Sequence, residues 1–205
     1  MMVSQKLSDR VQRDLRVLQA MVDGLEDYLK SPVLFWPLDE RRVGKPLPRL
    51  TLGGFLYRLR RLRALVPYLS GSERALLEEA ESRLDELQRR FPEAFADKVR
   101  RELRSRLDSW QWFLDDCEEK GEECLVHYPH QVDARLKADL LLEIGREMGL
   151  DLRKEQERLA SLDKRLREGF VQGDFVWDPT LAEAFPRDTY WYLYGRFQLK
   201  SSQNH

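Results

Sequence analysis

The chain is poor in the residues that build sheets. Among 205 residues, valine, isoleucine and threonine together number 16 against 35 leucines, and Ile144 is the single isoleucine. Branching at Cβ suits the pleated sheet whereas leucine suits the helix, so this imbalance predicts helix. Cysteine is equally scarce. Cys117 and Cys124 are too few for the disulfide framework of a small secreted domain, which agrees with a reducing compartment.

Long hydrophobic runs are missing too. Nothing approaches the roughly eighteen apolar residues of a membrane span, and the first thirty residues are charged and amphipathic rather than a signal core. These absences lead to the expectation of a cytoplasmic protein without membrane association. An excess of one charge sign is also lacking: 35 basic residues face 36 acidic ones, leaving a net charge of -1. No global field draws such a chain to nucleic acid. Catalytic signatures are absent as well, with no phosphate-binding lysine loop, dinucleotide glycine fingerprint, nucleophile elbow or metalloprotease histidine pair. No motif assigns an enzymatic activity.

What is present is helical period. Leu7, Val11, Leu15, Leu18, Val22, Leu25 and Leu29 form one apolar stripe down a long first helix. Residues 31–50 then hold Pro32, Pro37, Pro46 and Pro48, which marks a crossover whose apolar Val33, Leu34, Phe35 and Trp36 are expected to clamp it to the bundle. Thr51 caps a second helix carrying Leu52, Phe55, Leu59 and Leu62, and Ser70 with Glu73 has the spacing of a capping box for a third. Pro92 opens a long fourth helix with Val99, Leu103, Leu107, Trp110, Leu114 and Cys117 on one face, and Gly121 ends it. Pro129 sits in the first turn of a fifth helix that Gly149 stops, and Asp151 caps a sixth running to Gly169.

Beyond Gly169 the composition changes. Residues 170–197 hold nine of the 21 aromatic residues. Asp178 and Pro179 cap a short helix there, Asp188 to Gly195 form another, and the segment is expected to fold back and plug the bundle with Phe175 and Trp177. The expected architecture is therefore all-α. Five to seven helices make a bundle over residues 1–169, the aromatic segment 170–198 packs on it, and 199–205 form a flexible end.

Four groupings are candidates for function. Cys117, Cys124, His127 and His130 read C-x6-C-x2-H-x2-H, and thiolate with imidazole is the donor set of tetrahedral zinc. The spacing is not a standard one, and Cys117 falls on an apolar face where a free cysteine serves as a small buried hydrophobe. Zinc belongs to this alternative, and otherwise no cofactor is expected. The second grouping is the charge polarity of the fourth helix, basic at Arg100, Arg101 and Arg104 and acidic at Asp115, Asp116 and Glu119. Two copies laid antiparallel match end to end, whereas within one molecule the acidic end has Arg58, Arg60, Arg61 and Arg63 as potential partners.

Those four arginines are the third grouping, since guanidinium pairs bidentately with phosphate, although interleaved leucines place one side of that helix in the core. Gly53 and Gly54, at a helix start, are a weak phosphate signal without a following Lys-Ser or Lys-Thr. Exposed aromatics of the last segment, Trp191 and Tyr194, are the fourth. The expected role is a non-catalytic protein-protein interaction or adaptor module, a homodimer or bound to another protein. A zinc protein and a nucleic-acid-associated helical protein are the alternatives.

Overall fold

Leucine at intervals of three and four leads each helix to bury one stripe, and the computed structural model carries this out. It describes residues 2–38 and 48–198, with the side chains of 2–8 and 122 outside that description. The expected contribution of Leu7 to the first stripe and Pro46 of the crossover therefore lie outside the described residues, as does the end 199–205. Among the described residues there are seven α-helices, three short 3-10 helices and one two-stranded sheet, so the protein is all-α in class.

The chain divides into two compact units, Met1–Glu102 and Leu103–His205. In the first, helix α1 (Met2–Lys30) packs on α2 (Leu52–Ala64) and α3 (Gly71–Arg90). Its stripe Val11, Leu15, Leu18, Val22, Leu25 and Leu29 is buried, together with Met21 and Tyr28. Thr51 caps α2 by accepting from the Gly54 amide at 3.0 Å. At α3, Ser70 accepts from the Glu73 amide while Glu73 accepts from the Ser70 amide at 2.6 Å, closing the capping box.

The crossover is held differently from the expectation. Val33 and Phe35 remain 44% and 41% exposed, and the clamp works on the backbone. Trp36 and Leu50 exchange amide-carbonyl bonds at 3.0 and 2.9 Å. From α4 (Pro92–Lys120), Lys98 Nζ donates to the carbonyls of Ser31 and Val33, and Arg101 donates to that of Pro32. A proline-rich segment has carbonyls without enough amides to pair them, and cations satisfy these acceptors well.

The second unit takes the rest of α4, then α5 (Glu122–Leu125), α6 (Tyr128–Glu147) and α7 (Arg153–Gly169). Gly121, at φ +68°, stops α4 with its amide on the Cys117 carbonyl. Arg104–Glu155, Asp108–Arg158 and Asp115–Arg165 ion pairs at 3.0, 2.7 and 2.7 Å advance together along α4 and α7, so these helices run parallel.

After α7 the structure departs from the expected pair of short helices. Residues Phe170–Phe175 form strand β1, paired antiparallel with β2 (Tyr194–Phe197) in the register Phe170↔Phe197, with an irregularity between Gln172 and Phe175. Between them lie 3-10 turns at Pro179–Ala184 and Trp191–Leu193. Asp178 does cap the first turn, accepting from the Thr180 amide and hydroxyl. The expected helix Asp188 to Gly195 gives way at Tyr194 to strand. Gly195 explains part of this, since a Cβ there would stand 2.2 Å from the Val171 carbonyl oxygen, and only glycine lets β1 and β2 approach so closely.

Candidate functional site

The second unit is organised round a buried cation. Arg135, on α6 and 4% exposed, donates through Nε and Nη2 to both carboxylate oxygens of Asp163 on α7 at 2.8 Å. Its Nη1 lies 2.6 Å from Asp139, and its guanidinium lies 4.3 Å from the centre of the Tyr192 ring. Tyr192 donates to Asp139 at 2.6 Å, and Tyr128 donates to the Tyr192 carbonyl at 2.6 Å. Burial works against the Arg135 charge, but Tyr192, Asp139 and Asp163 outweigh it and hold the guanidinium above its ordinary value. Burial also pushes both tyrosine hydroxyls upward, against a smaller opposing effect of Arg135. Arg135 Nη1 has the Asp139 carboxylate at ion-pair distance without a well-aligned hydrogen bond, while Nε, Nη2 and both tyrosine hydroxyls are hydrogen-bonded, so the cluster ties the aromatic segment to α6 and α7.

The segment otherwise packs as aromatic pairs. Phe185, Tyr190, Tyr192, Leu193 and Phe197 are buried, while Phe175 and Trp177 are half-buried, with Trp177 donating to the Pro129 carbonyl. Trp191 and Tyr194, expected as contact residues, are engaged within the unit. Arg167 lies 3.7 Å above the Trp191 ring, and the Tyr194 hydroxyl donates to the Phe185 carbonyl at 2.7 Å.

The cysteine and histidine grouping separates in space. Cys117 and Cys124 are joined in a disulfide, their Cα atoms 5.0 Å apart, and are 0% and 2% exposed. This differs from the expectation of free thiols. The reversal of chain at Gly121 brings the second cysteine back onto the first, and counting cysteines carries no information about that turn. His127 and His130 are exposed. Sulfurs bonded to each other supply no thiolate donors. Among the described residues no group of three or more His, Cys, Asp and Glu side chains converges as a metal site.

Charges of α4 are likewise matched within each unit. Arg101 also pairs with Asp97, Arg104 with Glu155, Asp115 with Arg165, and Asp116 with Lys120. The acidic end thus meets Arg158 and Arg165 of α7. Arg100 is half-buried and Glu119 exposed. In the first unit, Arg61 pairs with the buried Asp14 at 2.9 Å, Arg63 pairs with Glu81, and Arg58 donates to the Gly54 carbonyl at 3.0 Å. Amides of Gly53 and Gly54 are taken by Glu102 and Thr51, so neither glycine amide is left for a phosphate.

One residue that sequence reasoning passed over stands out. Trp112 is 81% exposed, the largest exposure among the large hydrophobic residues described. It lies two residues beyond the buried Trp110, about 200° round the helix, which was the available signal. Asp108, Asp115, Asp116 and Glu119 share its face at spacings of three, four and seven. No helix among the described residues is long and apolar enough to cross a membrane.

No protein-family model, curated protein or solved structure matches the chain. The class that can be stated is an all-α protein of two helical units, the second closed by an aromatic segment. Function must then be argued from surfaces and sites alone.

Proposed function

We propose that the protein is a non-catalytic protein-protein interaction module whose contact face is the outer side of α4 around Trp112. The carrying observation is a tryptophan left 81% exposed on a rigid helix. Exposed indole is costly to leave in water and is the side chain most enriched among residues that dominate binding energy. Its surroundings indicate the partner's chemistry. Asp108, Asp115, Asp116, Glu118, Glu119 and Glu123 carry six negative charges along this end of the chain, and Arg158, Arg165 and Lys120 return three. A segment bearing lysine or arginine fits this face, with one cation over the indole ring and others on the carboxylates. Two identical acidic faces repel, which favours a different protein over a second copy at this surface.

The test is a photo-crosslinking residue placed at position 112 of the full chain in the cells that produce it, with position 78 of α3 as control. The expected result is one dominant crosslinked protein at 112 only, joined through a basic segment and lost in high salt. Absence of any crosslink specific to 112 would refute the contact face. A crosslink to a second copy would replace the basic partner by a homodimer.

A further inference from the structure

The two cysteines close a part of the second unit that little else holds. Between Glu118 and Tyr128 the chain ends α4, turns at Gly121 and makes the single turn of α5. Of the side chains described from Glu119 to His127, Cys124 alone is buried, with Leu125 half-buried and Val126 left 74% exposed. The Cys124 sulfur is bonded to Cys117 and lies 3.7 Å from the Phe113 carbonyl oxygen, so the disulfide is what seats this segment on α4.

The backbone of the segment adds little to that hold. A single helical turn does not stand by itself in water, because its nucleation fixes several residues for one hydrogen bond. Amides of Cys124 and His127 donate to the carbonyls of Gly121 and Cys124 at 3.3 and 3.0 Å, both within the segment. Asp115, Asp116, Glu118 and Glu119 crowd the last turns of α4, where carboxylates oppose the negative end of the helix dipole. On either side the chain is anchored without the cysteines. Glu118 holds Arg165 of α7 at 2.8 Å, and Tyr128 is buried with its hydroxyl on the Tyr192 carbonyl at 2.6 Å.

We propose that Cys117 and Cys124 form a redox latch: a dithiol reductant opens the disulfide and frees residues 119–127, while α6, α7 and the aromatic segment keep their fold. Both cysteines are buried, so access comes by local opening, which carries Cys124 outward while Cys117 stays on the buried face of α4. A reductant thiolate attacks the Cys124 sulfur, the S–S bond breaks, and Cys117 leaves as a thiolate that takes up a proton. The second reductant thiol attacks the mixed disulfide, releasing Cys124 as a thiol and the reductant as its own disulfide. Two electrons and two protons thus pass from the reductant to the cysteine pair. The open state presents the Cys124 thiol with Glu119, Glu123, Leu125 and Val126 on one loosened stretch, a surface the closed state lacks. Reoxidation restores the latch, because the anchors at Glu118 and Tyr128 keep both ends of the stretch in place. Trp112 lies earlier on α4, so the latch stands or falls independently of the interaction face.

Hydrogen exchange read by mass spectrometry tests the latch on the full, native chain, in buffers of graded ratio between dithiothreitol and its oxidised form. One reversible transition is expected, with exchange of residues 119–127 faster by about tenfold or more in the reduced state. Exchange of α6 and α7 is expected to stay as it is in the oxidised chain. Cys124→Ala is expected to show the reduced pattern in every buffer. A disulfide that resists dithiothreitol until the chain unfolds, or equal protection of 119–127 in both states, overturns the proposal. Loss of protection that spreads through α6 and α7 on reduction overturns it too, in favour of a purely structural disulfide. A Cys124→Ala chain whose exchange still responds to dithiothreitol has the same force.

Discussion

The two units reach a folded state by different chemistry. Met1–Glu102 is built on aliphatic stripes with capped helix starts, and its buried charges act locally, Lys98 on carbonyls of the crossover and Glu102 on the amide of Gly53. Leu103–His205 adds an aromatic segment, a disulfide and the buried Arg135 network, in which the bonds of Tyr192 to Tyr128 and Asp139 link parts of the chain more than fifty residues apart. The first kind of stability is spread over many interchangeable leucines. The second is concentrated in a few specific groups, so it is more easily broken by single changes.

The largest expected effect is removal of residues from 170 onward. Phe185, Tyr190, Tyr192, Leu193 and Phe197 are buried, and at about 1.5–3 kcal/mol each their loss matches the whole stability of a typical domain, about 5–15 kcal/mol. The second unit is expected to lose its cooperative unfolding, while hydrogen exchange of α1 to α3 stays protected. A truncated chain that keeps protection in α6 and α7 contradicts the plug.

Next in size is Asp163→Ala. It leaves the guanidinium of Arg135 buried with Asp139 as its remaining carboxylate, and should cost about 3 kcal/mol in urea unfolding of the second unit. The mirror change in the first unit, Leu18→Val at a fully aliphatic position, should cost about 1 kcal/mol. Comparable losses would erase the distinction between concentrated and distributed stability.

Reduction of the Cys117–Cys124 disulfide should lower the stability of the second unit by about 2 kcal/mol, the loop-closure value for so short a loop. Denaturation with and without dithiothreitol measures this, and an unchanged midpoint argues that the cysteines stay reduced.

The smallest effect is a difference in pH response. Burial, reinforced by nearby Arg101, lowers Lys98 to about 8 from 10.5, so between these values the unfolded chain binds the extra proton and the first unit gains stability as pH rises. Tyr128 and Tyr192 are raised by burial, so above about 10 the unfolded chain loses protons that the folded unit keeps, and the second unit loses stability. Pulse proteolysis from pH 8 to 11, with cleavages assigned to each unit, should show slopes of opposite sign. Parallel slopes would show that the two units do not titrate through these groups.

Legibility in the sequence follows the range of the interactions. Thr51, the Ser70–Glu73 box, Gly121, Pro129 and Asp178 act within a few residues of themselves, and each marks a boundary that the structure places there or within a residue. Pairing of β1 with β2 spans the whole aromatic segment, and neither strand shows a clear alternation, so the sheet was invisible. Trp112 was legible from its position off the buried stripe. The arginine string of α2 was half legible: its residues could be read, but Asp14, which pairs with Arg61, lies some fifty residues away on α1.

By itself the sequence determined the helical class, most helix limits and which face of each helix is buried, because period, propensity and capping are set by neighbours along the chain. Only the tertiary structure decided that Cys117 reaches Cys124, that Arg135 is enclosed by Asp139, Asp163 and Tyr192, and that Arg61 meets Asp14. Those contacts depend on how separate elements dock, and docking is chosen by the packing of whole surfaces, which no local pattern encodes.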